Sequence, residues 1–176
     1  MRRAQELDPL SLIANAALGW IYLNAGRYDE AVEQCRRTLE LNADFALAWL
    51  WMGMADAERG RAKDAVATLH HAVTLSGATA MSLAALARAH ALNHEPDSAR
   101  AIVDSLERRA LAGYAPRYEL AKVYLALGNR TAALAALVRA LEQREHSMVF
   151  LAIDPQFEAL RKDPAFAALL AVVEGG

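Results

Sequence analysis

The chain has a single cysteine, Cys35, among 176 residues. That excludes an internal disulfide framework and any zinc site built on several thiolates. Proline (5) and glycine (9) are scarce, and aromatics make up 7%, a composition poor in turn formers and far from a low-complexity chain. Valine, isoleucine and threonine, the residues strands favour, are also few. Charge of neither sign dominates: 19 Lys and Arg face 21 Asp and Glu, a formal net charge of −2. A strongly basic nucleic-acid surface and a polybasic membrane patch are therefore both excluded. No apolar run reaches the roughly 18 residues of a membrane span; the strongest, Phe45 to Ala55, is too short and contains Gly53. The N-terminus passes from Arg2 and Arg3 into a polar Gln-Glu stretch without an apolar signal-peptide core. The expected compartment is the cytoplasm.

What the chain does have is alanine, about forty residues of it, and alanine and leucine lose little on entering a helix. Many of these alanines are periodic. Ala31, Ala65, Ala99 and Ala133 stand 34 positions apart, a period typical of helix-pair repeats. Gly19, Gly53, Ala87 and Ala121 keep the same step, as do Leu18, Met52, Leu86 and Leu120, and Cys35, Leu69, Val103 and Leu137. Small residues let two helices approach closely, and the large ones fill the space around the contact. Each unit reads as two helices. Gly26, Gly60 and Gly128 mark the turns between them, as a left-handed helix-ending position requires. In the third unit the turn is His94-Glu95-Pro96-Asp97, and a slightly different geometry is expected there. Glu107 and Arg109 occupy apolar columns of that unit, so its second helix is expected to run differently. At the C-terminus Asp154-Pro155 and Asp163-Pro164 are each followed by Phe and Leu. Asp is a preferred helix cap and Pro fits the first turn, which predicts two short helices over about 155–162 and 164–173.

The stretch Leu18-Gly19-Trp20-Ile21-Tyr22 to Gly26-Arg27-Tyr28-Asp29-Glu30-Ala31 and on to Thr38-Leu39-Glu40-Leu41 resembles a tetratricopeptide repeat almost residue for residue. The second unit matches through Trp49, Met52, Gly53, Gly60, Ala65 and Ala72, and the fourth through Tyr124, Leu127, Gly128, Ala133 and Ala140. The third is the weakest: Ala87, His90 and Leu106 replace the usual Gly, Tyr and small residue. The resemblance implies an all-α, right-handed α-solenoid of antiparallel helix pairs with short C-terminal capping helices. It divides the chain into the tail of a truncated preceding repeat (1–11), repeats at 12–45, 46–79, 80–113 (divergent) and 114–147, and capping helices in 148–176. The run DPQFEALRKDPAFAALL is similar to the tail of many bacterial arrays of this kind. That likeness implies the C-terminal part of a larger, multidomain bacterial regulator.

Catalytic motifs are missing: no phosphate-binding loop, no Gly-x-Ser-x-Gly elbow and no His-Glu-x-x-His. His90 and His94 have helical spacing but lack a third ligand, and a polar pairing of His90 with Asp56 is expected instead. His70 and His71 read as a solvated pair, and Cys35 as a packed apolar residue. No enzyme activity, cofactor or metal is expected.

The resemblance implies a concave groove lined by the first helix of each unit. The residues it places there are Ile13, Ala16, Trp20 and Leu23, then Leu47, Leu50, Trp51, Met54 and Glu58. The third unit adds Met81, Ala84 and Arg88, and the fourth Tyr118, Lys122 and Leu125. Trp49 is assigned to core packing. The lysine and asparagine positions that clamp a terminal carboxylate in some family members here hold Ala16, Trp20 and Leu50. An apolar partner segment suits this groove better, with Arg88 and Lys122 expected to favour an acidic residue at its far end. The expected function is a non-catalytic protein-interaction scaffold. The alternative is a self-association module forming a homodimer.

Overall fold

The computed structural model describes residues 11–110 and 116–175; apart from Ser11, the expected half-repeat at the N-terminus lies outside them. Among the described residues, eight α-helices come in pairs: α1 (Leu12–Asn24) with α2 (Tyr28–Leu41), and α3 (Ala46–Glu58) with α4 (Ala62–Leu75). Then come α5 (Ala80–Leu92) with α6 (Pro96–Ala110), and α7 (Arg117–Ala126) with α8 (Arg130–Glu142). Each pair packs on the next, and no strand occurs among the described residues. Two 3₁₀ helices, His146–Phe150 and Pro155–Leu160, and a last helix α9 (Pro164–Gly175) follow.

The repeating columns are the contacts that close each pair. Ala31, Ala65, Ala99 and Ala133 are all fully buried. A Cβ built on Gly53 would come within 2.5 Å of Leu69 Cγ, and one on Gly19 within 2.9 Å of Cys35 Sγ. Both lie below van der Waals contact, so hydrogen is the only substituent that fits without movement. The third pair manages with Ala87 opposite Val103, whose side chain is shorter.

The turn is the same in every pair, the third included. Gly26, Gly60 and Gly128 have φ between 71° and 75°, and His94 takes that position with φ 59°. The N–H of this residue donates to a carbonyl three residues back: Leu23, Ala57, Ala91 and Leu125 in turn, at 2.9–3.3 Å. The following N–H reaches further into the last helical turn: Arg27 to Tyr22, Arg61 to Asp56, Glu95 to His90 and Asn129 to Tyr124, at 2.8–2.9 Å. The expectation of a different third turn is thus corrected. These two backbone bonds per turn hold an L-residue in the left-handed region despite its steric cost.

The second helix of the third unit also runs in the ordinary way, with Val103 and Leu106 buried. Its out-of-place polar residues have partners in neighbouring segments. Glu107 accepts from Arg117 Nη1 at 2.5 Å and from Tyr124 Oη at 3.2 Å. Arg109 Nη1 donates to the carbonyl of Ala78 at 3.0 Å. Charged residues replace apolar ones here because they bind across the repeat boundaries.

The C-terminal segment forms a cap on the fourth pair. Leu151, Phe157, Leu160 and Phe166 are fully buried against Ala133, Leu137 and Ala140. Of the two short helices expected, the first is a 3₁₀ helix and the second is α9. Asp154 caps the former through Gln156 N, and Asp163 accepts from Ala165 N at the start of the latter, both at 2.9 Å.

Gly53→Ala should lower stability by roughly 1–3 kcal/mol, because overpacking outweighs the better helix propensity of alanine. Urea denaturation checks this, and a Leu69→Val change in the same chain should recover part of the loss.

Candidate partner-binding groove

The first helices of the pairs converge, together with the cap, on one cavity of about 220 Å³. Its apolar wall comes from Trp20 and Leu23 of α1, Trp51 and Met54 of α3, and Met81 of α5. Phe150 of the cap closes the other side: its ring lies edge-on to Trp20, with centroids 5.7 Å apart. Trp20, Trp51 and Met54 are half-buried. Outside the cavity mouth Ile13 and Leu47 are 75% and 42% exposed, and Met81 is 47% exposed. These three hold one repeat column, 34 positions apart.

The polar end of the cavity is made by α7 and the cap. Asp154 Oδ2 accepts from Tyr118 Oη at 2.9 Å and pairs with Lys122 Nζ at 3.0 Å, while its Oδ1 takes the N–H of Gln156. Lys122 also pairs with Glu119 at 3.2 Å and lies over the Tyr118 ring, 4.6 Å from its centroid. Burial would push the Lys122 ammonium down, but the two carboxylates outweigh it and hold it above its ordinary value. Burial and the neighbouring Asp154 push the Tyr118 phenol far up, so it stays a neutral donor. Nearby, the Glu145 carboxylate accepts from the backbone N–H groups of Arg117 at 2.7 Å and Tyr118 at 3.1 Å. It satisfies orphan donors at the start of α7 from 27–28 residues away. Burial raises its pKa, and these backbone bonds partly offset that.

Several expected groove residues are not open surface. Leu50 is 4% exposed and packs in the core with Ala57, Leu69 and Ala85, because the next pair covers that side of α3. Tyr118 and Lys122, 2% and 6% exposed, lie under the cap. Arg88 lies 2.7 Å from Glu58 as a charge contact; Glu58 Oε1 receives no well-directed hydrogen bond. With Arg88 and Lys122 both matched internally, the expected preference for an acidic residue at the far end has no support. Trp49, expected in the core, is half-buried: it stacks edge-on with His71 at 4.4 Å and donates to the carbonyl of Ala43 at 2.7 Å. His90 does not pair with Asp56. Its Nδ1 lies 2.5 Å from Glu95, and Asp56 pairs with Arg59 at 3.1 Å.

Sequence reasoning missed Glu145, Phe150 and the second role of Asp154. Asp154-Pro155 is a legible cap signal, but nothing in it says that the other carboxylate oxygen reaches Tyr118 and Lys122, more than 30 positions earlier. Cys35 is fully buried in the α1–α2 contact, and burial pushes its thiol up to about 12. It therefore carries no thiolate near neutral pH. Among the described residues, no three metal-ligating side chains cluster. No helix among them is long and apolar enough to cross a membrane.

Asp154→Ala should cost roughly 1–3 kcal/mol, because the buried Tyr118 hydroxyl loses its acceptor and Lys122 keeps Glu119 alone as its carboxylate partner. Adding Lys122→Met should restore part of the loss. Thermal unfolding and amide exchange across 146–160 measure both.

Models of the tetratricopeptide repeat family match residues 1–46, 16–77 and 115–146. No curated protein matches the chain by sequence. Among solved structures, the crystal structure of MamA aligns with TM-score 0.53 at 21% identity, covering 82% of this chain and 84% of that one. A crystal structure of nearly identical TPR-like repeats, from a Podosopora anserina protein described as a kinesin light chain, aligns with TM-score 0.53 at 21% identity. It covers 95% of this chain and 94% of its own. At this identity the two structures speak for the fold alone, an all-α solenoid. The repeat columns, the recurring turn and the family match agree: the chain belongs to the tetratricopeptide repeat family.

Proposed function

We propose that the chain is a non-catalytic scaffold that holds an apolar segment of a partner protein on the concave side of its repeats. Repeats of this family generally mediate protein–protein interaction. The observation that carries the reading here is the column Ile13, Leu47 and Met81. Folding buries the columns of Leu18, Ala31 and Cys35 in all four units and leaves this one exposed across three successive units. It leads directly to the half-buried Trp20, Trp51 and Met54. Aligned apolar groups left in water at a regular step form a strip suited to an apolar peptide or helix face. Since Arg88 and Lys122 are matched by internal carboxylates, apolar anchors give the selectivity. The near-neutral charge, net −2 overall, argues for a protein partner over nucleic acid. The similarity of the C-terminal run to the tails of bacterial regulator arrays supports a place within such a regulator, in the cytoplasm.

Peptides selected from a random library on the chain should carry two or more large apolar residues. Ile13→Ser with Leu47→Ser should weaken them about 10-fold or more, with stability changed by no more than about 0.5 kcal/mol per site. These variants are cleaner probes than Trp51→Ala, since Trp51 also packs against two core clusters. Equal binding by the double variant counts against the reading. A concentration-dependent dimer in sedimentation, abolished by the same substitutions, would assign the strip to self-association instead.

A further inference from the structure

The cap is attached to the rest of the molecule at two ends of unequal strength. At one end it is fixed to α7. Asp154 binds Tyr118 and Lys122, Glu145 binds the first N–H groups of the helix, and Phe157 lies edge-on to Tyr118 at 5.2 Å. All of these groups are buried. At the other end the segment crosses the groove and meets the first repeat through the edge-on contact of Phe150 with Trp20. Both of those rings are only half-buried. Parting the first end would strand buried charges; parting the second exposes two rings that are already partly wet.

With the seam shut, the cavity is also too small to take the anchors of the segment proposed above. Sites for drug-sized ligands run to roughly 300–1,000 Å³, and this one measures about 220 Å³. It has room for one side chain, not for a segment bearing two or three anchors. In a solenoid each unit contacts mainly its neighbours. Small rotations at successive unit boundaries therefore add up between the first repeat and the cap, where the Trp20–Phe150 seam lies.

We infer that Phe150 and Trp20 form a latch across the groove between the cap and the first repeat, and that a partner segment enters by parting this seam as successive repeats rotate, while the cap stays on α7. The inference rests on the groove reading above. An aromatic edge pair biases an equilibrium by a factor of roughly 2–13. For a segment whose anchors pass from the exposed strip into the cavity, the latch therefore lowers apparent affinity by up to about that factor, since the cavity admits them only in the open form.

The test uses the whole chain carrying 5-fluorotryptophan, with the ¹⁹F resonances of Trp20, Trp49 and Trp51 assigned by Trp→Phe substitution. Phe150→Ala, or Phe150→Leu should the alanine variant lose its cap, should move the Trp20 resonance toward its solvent-exposed position and leave Trp49 in place. An unmoved Trp20 resonance overturns the latch, and so does a Trp49 resonance that moves as far, which would signal general loosening. A groove-selected peptide should bind the Phe150 variant about 2–13-fold more tightly. Unchanged affinity with a parted seam overturns the seam as the entry route. Failure of Ile13→Ser and Leu47→Ser to weaken the same peptide would instead strike the groove reading, leaving the ¹⁹F result to decide the latch.

Discussion

Two helices joined by a short turn can close tightly on each other only where the side chain between them is small or absent. In this chain that contact is made by Gly19 against Cys35 and by Gly53 against Leu69, with buried Ala31 and Ala65 beside them. Everything else depends on it. The depth of the approach sets the angle at which a pair presents its outer face, and the next pair packs on that face. Because the column recurs every 34 residues, the same angle is generated again and again, and a curved stack follows with a concave side. No single pair could bury its apolar surface alone.

The stack pairs its apolar columns by repetition, but its polar contacts are individual. Glu107 reaches Arg117 and Tyr124, Arg109 reaches the Ala78 carbonyl, and Glu145 caps α7. Each replaces a residue the repeat pattern would have made ordinary, and each ties one unit to another. Glu107 and Arg109 belong to the third unit, where the columns are weakest, and Glu145 to the end of the fourth. The cap is the extreme case: its anchoring on α7 is a buried network of Asp154, Tyr118, Lys122 and Glu119, which folds the C-terminal segment back over the concave face.

That fold-back changes which residues are open to a partner. A groove read from repeat positions alone treats Tyr118 and Lys122 as its far end, yet both are covered and internally paired. The apolar strip that stays exposed lies on the first three units, at Ile13, Leu47 and Met81. It is apolar, and the cations expected to select an acidic residue are already matched by carboxylates. The cavity that remains under the cap is small because the cap fills what would otherwise be open groove.

The sequence by itself determined the elements and their pairing. Its 34-residue step, its small-residue columns and its glycine turns are local or strictly periodic constraints, and helix geometry converts them directly into packed pairs. It also showed that Asp154 and Asp163 start new helical turns, because capping acts within a few residues of the cap. The tertiary structure alone decided where the cap lies. Nothing periodic relates Phe150 to Trp20, whose contact depends on the summed curvature of the whole stack, or Asp154 to Lys122, whose contact depends on how the cap folds back on the fourth pair. The same holds for exposure. Leu47 and Leu50 are three positions apart on one helix and equally apolar, but only the neighbouring pair's position leaves the first at 42% exposure and the second at 4%. Type and spacing act along the chain, while burial is a property of what arrives from elsewhere in it.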